Sequence, residues 1–166
     1  MSVLTISRQA GSRGTYIGRE VAKKLNYDYL DKAHIASMMR DYGFSRFDSI
    51  YEQVPGIWDR LDEYRERTIQ FLVEMEMAIA QHNNVVIAGR GSFALLHDYR
   101  DALNVRVKAP FETRVRRIAE DENITRENAR KFVTQRDRVR KHFVESDIHF
   151  SYTDTTMFDI MLDTSV

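Results

Sequence analysis

Apolar and polar positions along the chain follow two periods, which together predict strands that alternate with helices. Short apolar runs predict buried strands, and apolar residues that recur every three or four positions predict one face of a helix. The predicted strands are Val3 to Ile6, Tyr27 to Asp31, Val85 to Ala88, Asn104 to Ala109 and Phe158 to Leu162. The predicted helices begin at about Tyr16, Ala33, Trp58, Phe111 and Arg126. This alternation predicts an α/β fold of three layers, in which helices cover both faces of a five-stranded parallel sheet.

A glycine loop joins the first predicted strand to the first predicted helix. The loop consists of Gly11, Ser12, Arg13, Gly14 and Thr15. Glycines let backbone N–H groups turn toward an anion, and a helix start adds unsatisfied donors, so this layout predicts a phosphate site. The Walker A pattern would place a lysine in such a loop, and there is none here. Arg13, Arg8 or a distant residue could supply the missing charge; the alternative is a tight turn that binds nothing.

Two other predicted strands also end in residues that could bind a ligand. Asp31 ends the second strand, and ligands of parallel sheets gather at the carboxyl ends of strands. The same aspartate could instead cap the following helix, and the two roles are compatible. Arg90 follows the third strand between two glycines, which allow close approach to a phosphate. A salt bridge at the sheet edge is the alternative for this arginine.

Residues 41–57 show no period and contain Gly43, Pro55 and Gly56, so they predict an irregular loop over the sheet edge.

A very basic helix is predicted from Arg126 to His142. Arg136 and Arg140 are four residues apart and share one face of it, as expected for a positively charged lid. A solvated basic face and a nucleic-acid surface are the alternatives. Aromatic residues do not alternate with the basic ones, which argues against nucleic acid.

Length, charge and cysteine content limit the classes of protein and partner that fit this chain. The chain of 166 residues with 43% hydrophobic residues predicts one globular domain. Its 25 lysines and arginines balance 25 aspartates and glutamates, so bulk charge predicts neither a nucleic-acid nor a membrane partner. No apolar run approaches the roughly 20 residues that span a bilayer, and no signal peptide is recognisable at the start. The absence of cysteine fits a cytoplasmic protein.

Five segments together resemble the cytidylate kinase-like family of P-loop nucleoside monophosphate kinases. They are Thr5 to Glu20, Tyr29 to Lys32, Val86 to Ser92, Gln135 to Asp137 with Arg140, and Phe158 to Ser165. The resemblance covers nearly the whole chain. It implies strand order 2-3-1-4-5 and transfer of the ATP γ-phosphoryl group to a nucleoside monophosphate, usually CMP or dCMP, with Mg²⁺. It also implies a single domain over 1–166, with an acceptor-side insertion at 32–57 and a lid at about 121–150.

Carried over by position, the resemblance assigns roles to individual residues. The donor phosphates would bind Gly11, Ser12, Arg13, Gly14 and Thr15. Asp31 and Arg90 would face the acceptor, the catalytic cations would be Arg13, Arg136 and Arg140, and no residue is expected to bind metal directly. The partners would be small nucleotides, and homo-oligomerisation is left open.

The chain departs from the family pattern at two positions. The family's loop lysine falls at Gly14, and an arginine that follows the second strand falls at Ser37. A non-catalytic nucleotide-binding or regulatory module is therefore the alternative function. A short-chain dehydrogenase is excluded, because no tyrosine has a lysine four residues later.

Overall fold

The computed structural model describes residues 2–52, 62–82 and 84–165. Five strands form one sheet: β1 (Val3–Arg8), β2 (Asp28–Leu30), β3 (Val85–Ala88), β4 (Ala102–Lys108) and β5 (Ile160–Asp163). Their order is β2-β3-β1-β4-β5 and every neighbouring pair is parallel. The predicted fold class and strand order are confirmed.

Seven helices accompany the strands in the described part of the chain. They are α1 (Gly14–Leu25), α2 (Lys32–Asp41), α3 (Phe47–Glu52), α4 (Glu63–His82), α5 (Ser92–Leu95), α6 (Phe111–Asp121) and α7 (Arg126–His142). A π-helical turn, Phe143–Asp147, continues α7 directly. None of these helices is long and apolar enough to cross a membrane.

Helices cover both faces of the sheet because alternate strand residues point to opposite sides. On one face, Leu4, Ile6 and Val86 pack with Ala22 of α1. On the other face, residues such as Val85 and Ile87 belong to a larger core that takes in side chains from α2 to α5 and the π-helical turn. Strand β3 is apolar at all four positions, as expected for a strand buried on both sides, whereas β1 also carries Thr5 and Ser7.

The structure corrects the prediction of an irregular segment at 41–57. Residues Phe47–Glu52 form α3, and Phe47 and Ile50, three positions apart, are both buried. Two buried residues are too few to reveal a helical period in the sequence, and the neighbouring Gly43 masked it further. The predicted helix start at Trp58 lies outside the described residues.

The last strand begins later than predicted. Phe158 precedes β5 and stacks on Phe93 of α5, with ring centroids 4.7 Å apart. The backbone N–H of Asp159 then donates to the carbonyl of Asn104 (2.8 Å), while the Asp159 carboxylate accepts from the Asn104 N–H (2.7 Å). The side chain thus competes for the first ladder position, and the regular strand starts at Ile160.

Candidate functional site

The carboxyl ends of β1 and β3 meet helix α7 at a cavity with a basic wall. The cavity has a volume of about 160 Å³ and is lined by Arg8, Lys32, Ala88, Arg90, Arg136, Val139 and Arg140. Five of these side chains are cationic, and none of the described lining residues is acidic. They come from four separate segments, so the fold rather than a local charge run creates this positive site. Arg90, Arg136 and Arg140, which the sequence singled out, lie together here.

Arg90 enters the cavity through an unusual turn. Gly89, Arg90 and Gly91 all have positive φ angles, of 88°, 62° and 79°. This left-handed run is easy for glycine and costly for arginine, so its persistence here points to a functional constraint. The Arg90 side chain is only 1% exposed, and its guanidinium lies 4.9 Å from the centre of the Phe47 ring.

Glu76 of α4 is a fully buried acid near Arg90. Burial raises the pKa of the Glu76 carboxyl well above its usual value, and the positive charge of Arg90 opposes that rise. Neither carboxyl oxygen has a hydrogen-bond partner among the described residues. The acid therefore favours its neutral form, in which it does not cancel the charge of Arg90.

Helix α7 is docked onto the loop between β1 and α1. Arg140 donates a hydrogen bond to the carbonyl oxygen of Arg8 (2.9 Å). The Asp137 carboxylate accepts from the N–H of Ala10 (3.1 Å) and pairs with the buried Arg114 (2.6 Å). Arg136 stacks on Phe132, 5.2 Å from its ring centre. These contacts hold the two predicted lid arginines over the cavity.

The glycine loop turns through left-handed backbone at Gly11 and Arg13, and Arg13 is not among the residues that line the cavity. Gly11 has φ 76°, and a Cβ there would come within 2.7 Å of the Arg114 carbonyl oxygen. Arg13 adopts φ 63° and precedes α1 without a side-chain cap, so the first N–H groups of the helix have no partner within it. The Arg13 guanidinium instead donates to Asp121 at the end of α6 (2.8 Å), where both side chains are exposed. The buried Ser12 hydroxyl donates to the carbonyl of Gln9 (2.9 Å).

Asp31 caps α2, as one of the two sequence readings predicted. Its carboxylate accepts from the N–H groups of Ala33 (2.9 Å) and His34 (3.4 Å) and from the Arg19 guanidinium (3.0 Å). Burial opposes ionisation of Asp31, but hydrogen bonds from Arg19, His34 and Ala33 outweigh it and lower the pKa of the carboxyl. Asp31 also lines a second cavity, so capping does not remove it from the site.

The second cavity lies next to the first and is larger. It has a volume of about 440 Å³ and is lined by Arg8, Thr15, Asp31, Lys32, Ala33, Ala36, Arg40 and Asp48. Arg8 and Lys32 line both cavities, so they mark the junction. On the far wall, Arg40 donates to Asp48 (3.0 Å), and Lys32 lies 3.9 Å from the same carboxylate.

Sequence reasoning missed three residues of this second cavity: Lys32, Arg40 and Asp48. A signal existed for the first two, because Lys32, Ala36 and Arg40 are four residues apart and therefore share one face of α2. Asp48 lies in α3, within the segment that the sequence predicted to be irregular, and it carried no signal.

Comparison with known proteins identifies the relatives of this chain. The model of the cytidylate kinase-like family matches residues 3–166. A cytidylate kinase of Methanocaldococcus jannaschii is 27% identical, over 98% of this chain and 88% of that protein. A cytidylate kinase of Pyrobaculum islandicum is 29% identical, over 99% of this chain and 85% of that protein.

Solved structures agree with the fold. An uncharacterized protein from Eubacterium ventriosum superposes with a TM-score of 0.76 at 19% identity, over 99% of this chain and 89% of that one. A gluconokinase from Sinorhizobium meliloti has a TM-score of 0.60 at 10% identity, over 99% and 83%. A shikimate kinase from Bacteroides thetaiotaomicron has a TM-score of 0.55 at 14% identity, over 98% and 86%. At these identities the likeness supports the fold alone.

Proposed function

The chain belongs to the cytidylate kinase-like family, and we propose from this premise that it transfers the γ-phosphoryl group of ATP to CMP or dCMP. The observation that carries the proposal is the cavity into which five cationic side chains converge. Such a concentration of positive charge in a partly enclosed space attracts negative charge. Two phosphate groups, one from the donor and one from the acceptor, would provide that negative charge.

The chemistry requires positioning and charge neutralisation rather than a covalent intermediate. In phosphoryl transfer, negative charge spreads over the oxygens of the group in flight, and cations around it stabilise the transition state. The backbone cradle of Gly11 to Thr15 would hold the donor phosphates. Arg136 and Arg140 would close over the transferred group from α7, while Arg90 would hold the acceptor phosphate from below.

The second cavity provides the place for the remainder of the acceptor. Its volume of about 440 Å³ is within the range of small-ligand sites, about 300–1,000 Å³. The paired Arg40 and Asp48 present a donor and an acceptor side by side. Cytosine requires both, because its amino group donates while its ring nitrogen and carbonyl accept. The names of the archaeal relatives agree with this acceptor.

Mg²⁺ would accompany ATP, and the residues present fit an ion that is held mainly by phosphates and water. The described residues contain no group of three His, Asp or Glu side chains that could hold a metal. Mg²⁺ commonly keeps several waters and uses one P-loop hydroxyl, for which Thr15 in the first turn of α1 is suited. When bound, the ion would offset charge on the donor phosphates. A cytoplasmic location and the oligomeric state stay predictions.

Turnover of purified protein with ATP, Mg²⁺ and a panel of nucleoside monophosphates tests the proposal. We expect ADP formation with the highest kcat/KM for CMP or dCMP. Arg136→Ala should lower kcat by about 100-fold or more, because a transition-state cation is lost. Arg130→Ala is the matched control on the same helix, since Arg130 pairs with Glu112 at an exposed position away from the cavity. Intact, ATP-binding protein that phosphorylates no acceptor would refute the proposed activity and leave a binding module.

A further inference from the structure

The loop between β1 and α1 differs from a Walker A loop in a reciprocal way. The pattern G-x-x-x-x-G-K followed by Ser or Thr can be laid on residues 8–15 so that the hydroxyl residue is Thr15. Arg8 then stands at the first glycine, Arg13 stands at the second glycine, and Gly14 stands at the lysine. Arg8 thus places a large cation where the pattern has glycine, and Gly14 has no side chain where the pattern has lysine.

In three dimensions these two positions compete for one volume. A Cβ added to Gly14 would lie 2.5 Å from Cβ and 3.0 Å from Cγ of Arg8. Real Cβ atoms do not approach other atoms this closely, so a side chain at position 14 would require Arg8 to move. Glycine at 14 is explained by the side chain of Arg8, since its backbone is in the ordinary helical range.

The guanidinium of Arg8 lies against a second glycine, Gly89. A Cβ added to Gly89 would lie 1.8 Å from a terminal guanidinium nitrogen of Arg8. The side chain therefore runs from the start of α1 across the cleft to the end of β3. It arrives beside Arg90 and lines both cavities at their junction.

We propose that Arg8 is the catalytic cation that takes the place of the P-loop lysine at position 14. The inference rests on the proposed function and names a residue of the same site. In the transfer, the bond between the γ-phosphorus and the bridging oxygen of ADP breaks as an oxygen of the acceptor phosphate bonds to that phosphorus. Arg8 gives and takes no proton; its planar guanidinium contacts oxygens of the group in flight and neutralises charge.

The alternative is that Arg8 only fills space between two glycines. Arg8→Met separates the two roles, because it keeps most of the side-chain volume and removes the charge. We expect Arg8→Met to lower kcat by about 100-fold or more with its unfolding midpoint little changed. Arg67→Met is the matched control, since Arg67 is exposed on α4 and pairs only with Glu63 in the described structure.

The exchange of positions 8 and 14 is the sharper experiment. Gly14→Lys alone should be inactive or poorly folded, because the new side chain meets Arg8. The double variant Arg8→Gly with Gly14→Lys removes the contacts with Arg8, leaves one approach of 3.2 Å to the Cβ of Val107, and restores a cation to the site. We expect its kcat to exceed that of Arg8→Met by at least about tenfold. A double variant no better than Arg8→Met, with intact fold by circular dichroism, would count against the shared site.

The outcomes for Arg8 and for the proposed function are distinguishable. If the unmodified protein turns over and Arg8→Met does so equally well, the inference about Arg8 is overturned and the function stands. If the unmodified protein phosphorylates no acceptor, the function is refuted and ATP binding by calorimetry decides about Arg8. At least tenfold weaker binding by Arg8→Met would then support Arg8 as the phosphate cation, whereas equal binding, or none by either protein, would overturn it.

Discussion

Loss of the buried ion pair between Arg65 and Asp147 should destabilise the protein strongly. Arg65 of α4 donates two hydrogen bonds to the Asp147 carboxylate, at 2.9 and 2.6 Å, and the two side chains are only 10% and 8% exposed. Arg65 also donates to the carbonyl of Ile50 (3.4 Å). Asp147 ends the π-helical turn that continues α7. The pair therefore ties the end of the lid segment to α4.

Asp147→Ala removes one partner and leaves a guanidinium buried without its counter-ion. Breaking a buried pair in this way typically costs about 3–5 kcal/mol. In a chain of this size, each kcal/mol lowers the melting temperature by about 2–4 °C, so Tm should fall by about 6–20 °C. The size of the effect comes from the stranded charge more than from the attraction between the partners.

The double variant Arg65→Met with Asp147→Leu tests this reasoning. It removes both charges and keeps most of the volume, so we expect it to recover the greater part of the lost stability. Glu63→Ala is a control, because its ion pair with Arg67 is exposed and should contribute less than about 1 kcal/mol. Unfolding in urea measures all three. A loss below about 1 kcal/mol for Asp147→Ala, or a double variant as unstable as the single one, would refute the account.

Three further predictions concern single side chains. Burial holds the folded-state pKa of Glu76 above its unfolded value, so stability should fall as pH rises above the ordinary glutamate pKa. Glu76→Gln should remove this slope, and parallel urea midpoints for the two proteins would contradict it. Gly11→Ala should lower the unfolding midpoint more than Gly43→Ala, since both glycines have positive φ but only Gly11 faces a backbone oxygen at 2.7 Å; equal losses would contradict the close contact. Asp48→Asn should lower the ratio of kcat/KM for CMP to kcat/KM for UMP by at least about tenfold, because an amide can donate a hydrogen bond to uracil and a carboxylate cannot. An unchanged ratio would show that Asp48 does not recognise the base.

The sheet could be predicted from the sequence because its signals are local and strong. Val85 to Ala88 is apolar at every position, as required of a strand covered on both faces, and Gly89 follows it directly. Helix α3 and the π-helical turn could not be predicted in the same way. Each is a single short segment whose buried residues are too few to establish a period, and each is stabilised by contacts with distant elements.

Parts of the candidate site could be predicted where a charged residue and the residues that set its backbone conformation lie in one short stretch of sequence. Arg90 between two glycines is such a case, and so is the spacing of Arg136 and Arg140. The sequence could not predict which of Arg8 and Arg13 reaches the cavity, because that depends on the direction in which each side chain leaves the backbone. Arg13 has a left-handed backbone that turns its side chain outward to Asp121, whereas Arg8 ends β1 and extends into the cleft.

At positions 8 and 14 the chain has arginine and glycine where the Walker A pattern has glycine and lysine. A loop of this kind can lack the lysine and still have a cation, supplied by residue 8. A pattern read one position at a time records the missing lysine as a loss. The structure makes the two positions dependent, since Arg8 makes the closest contacts, at 2.5 and 3.0 Å, to a Cβ placed at residue 14, with Val107 next at 3.2 Å. If the cation is delivered from the strand instead of the helix, residues 14 and 89 must both lack side chains, and both are glycine. The exchange variant follows directly from that dependence, because it should fail at either position alone and succeed only at both.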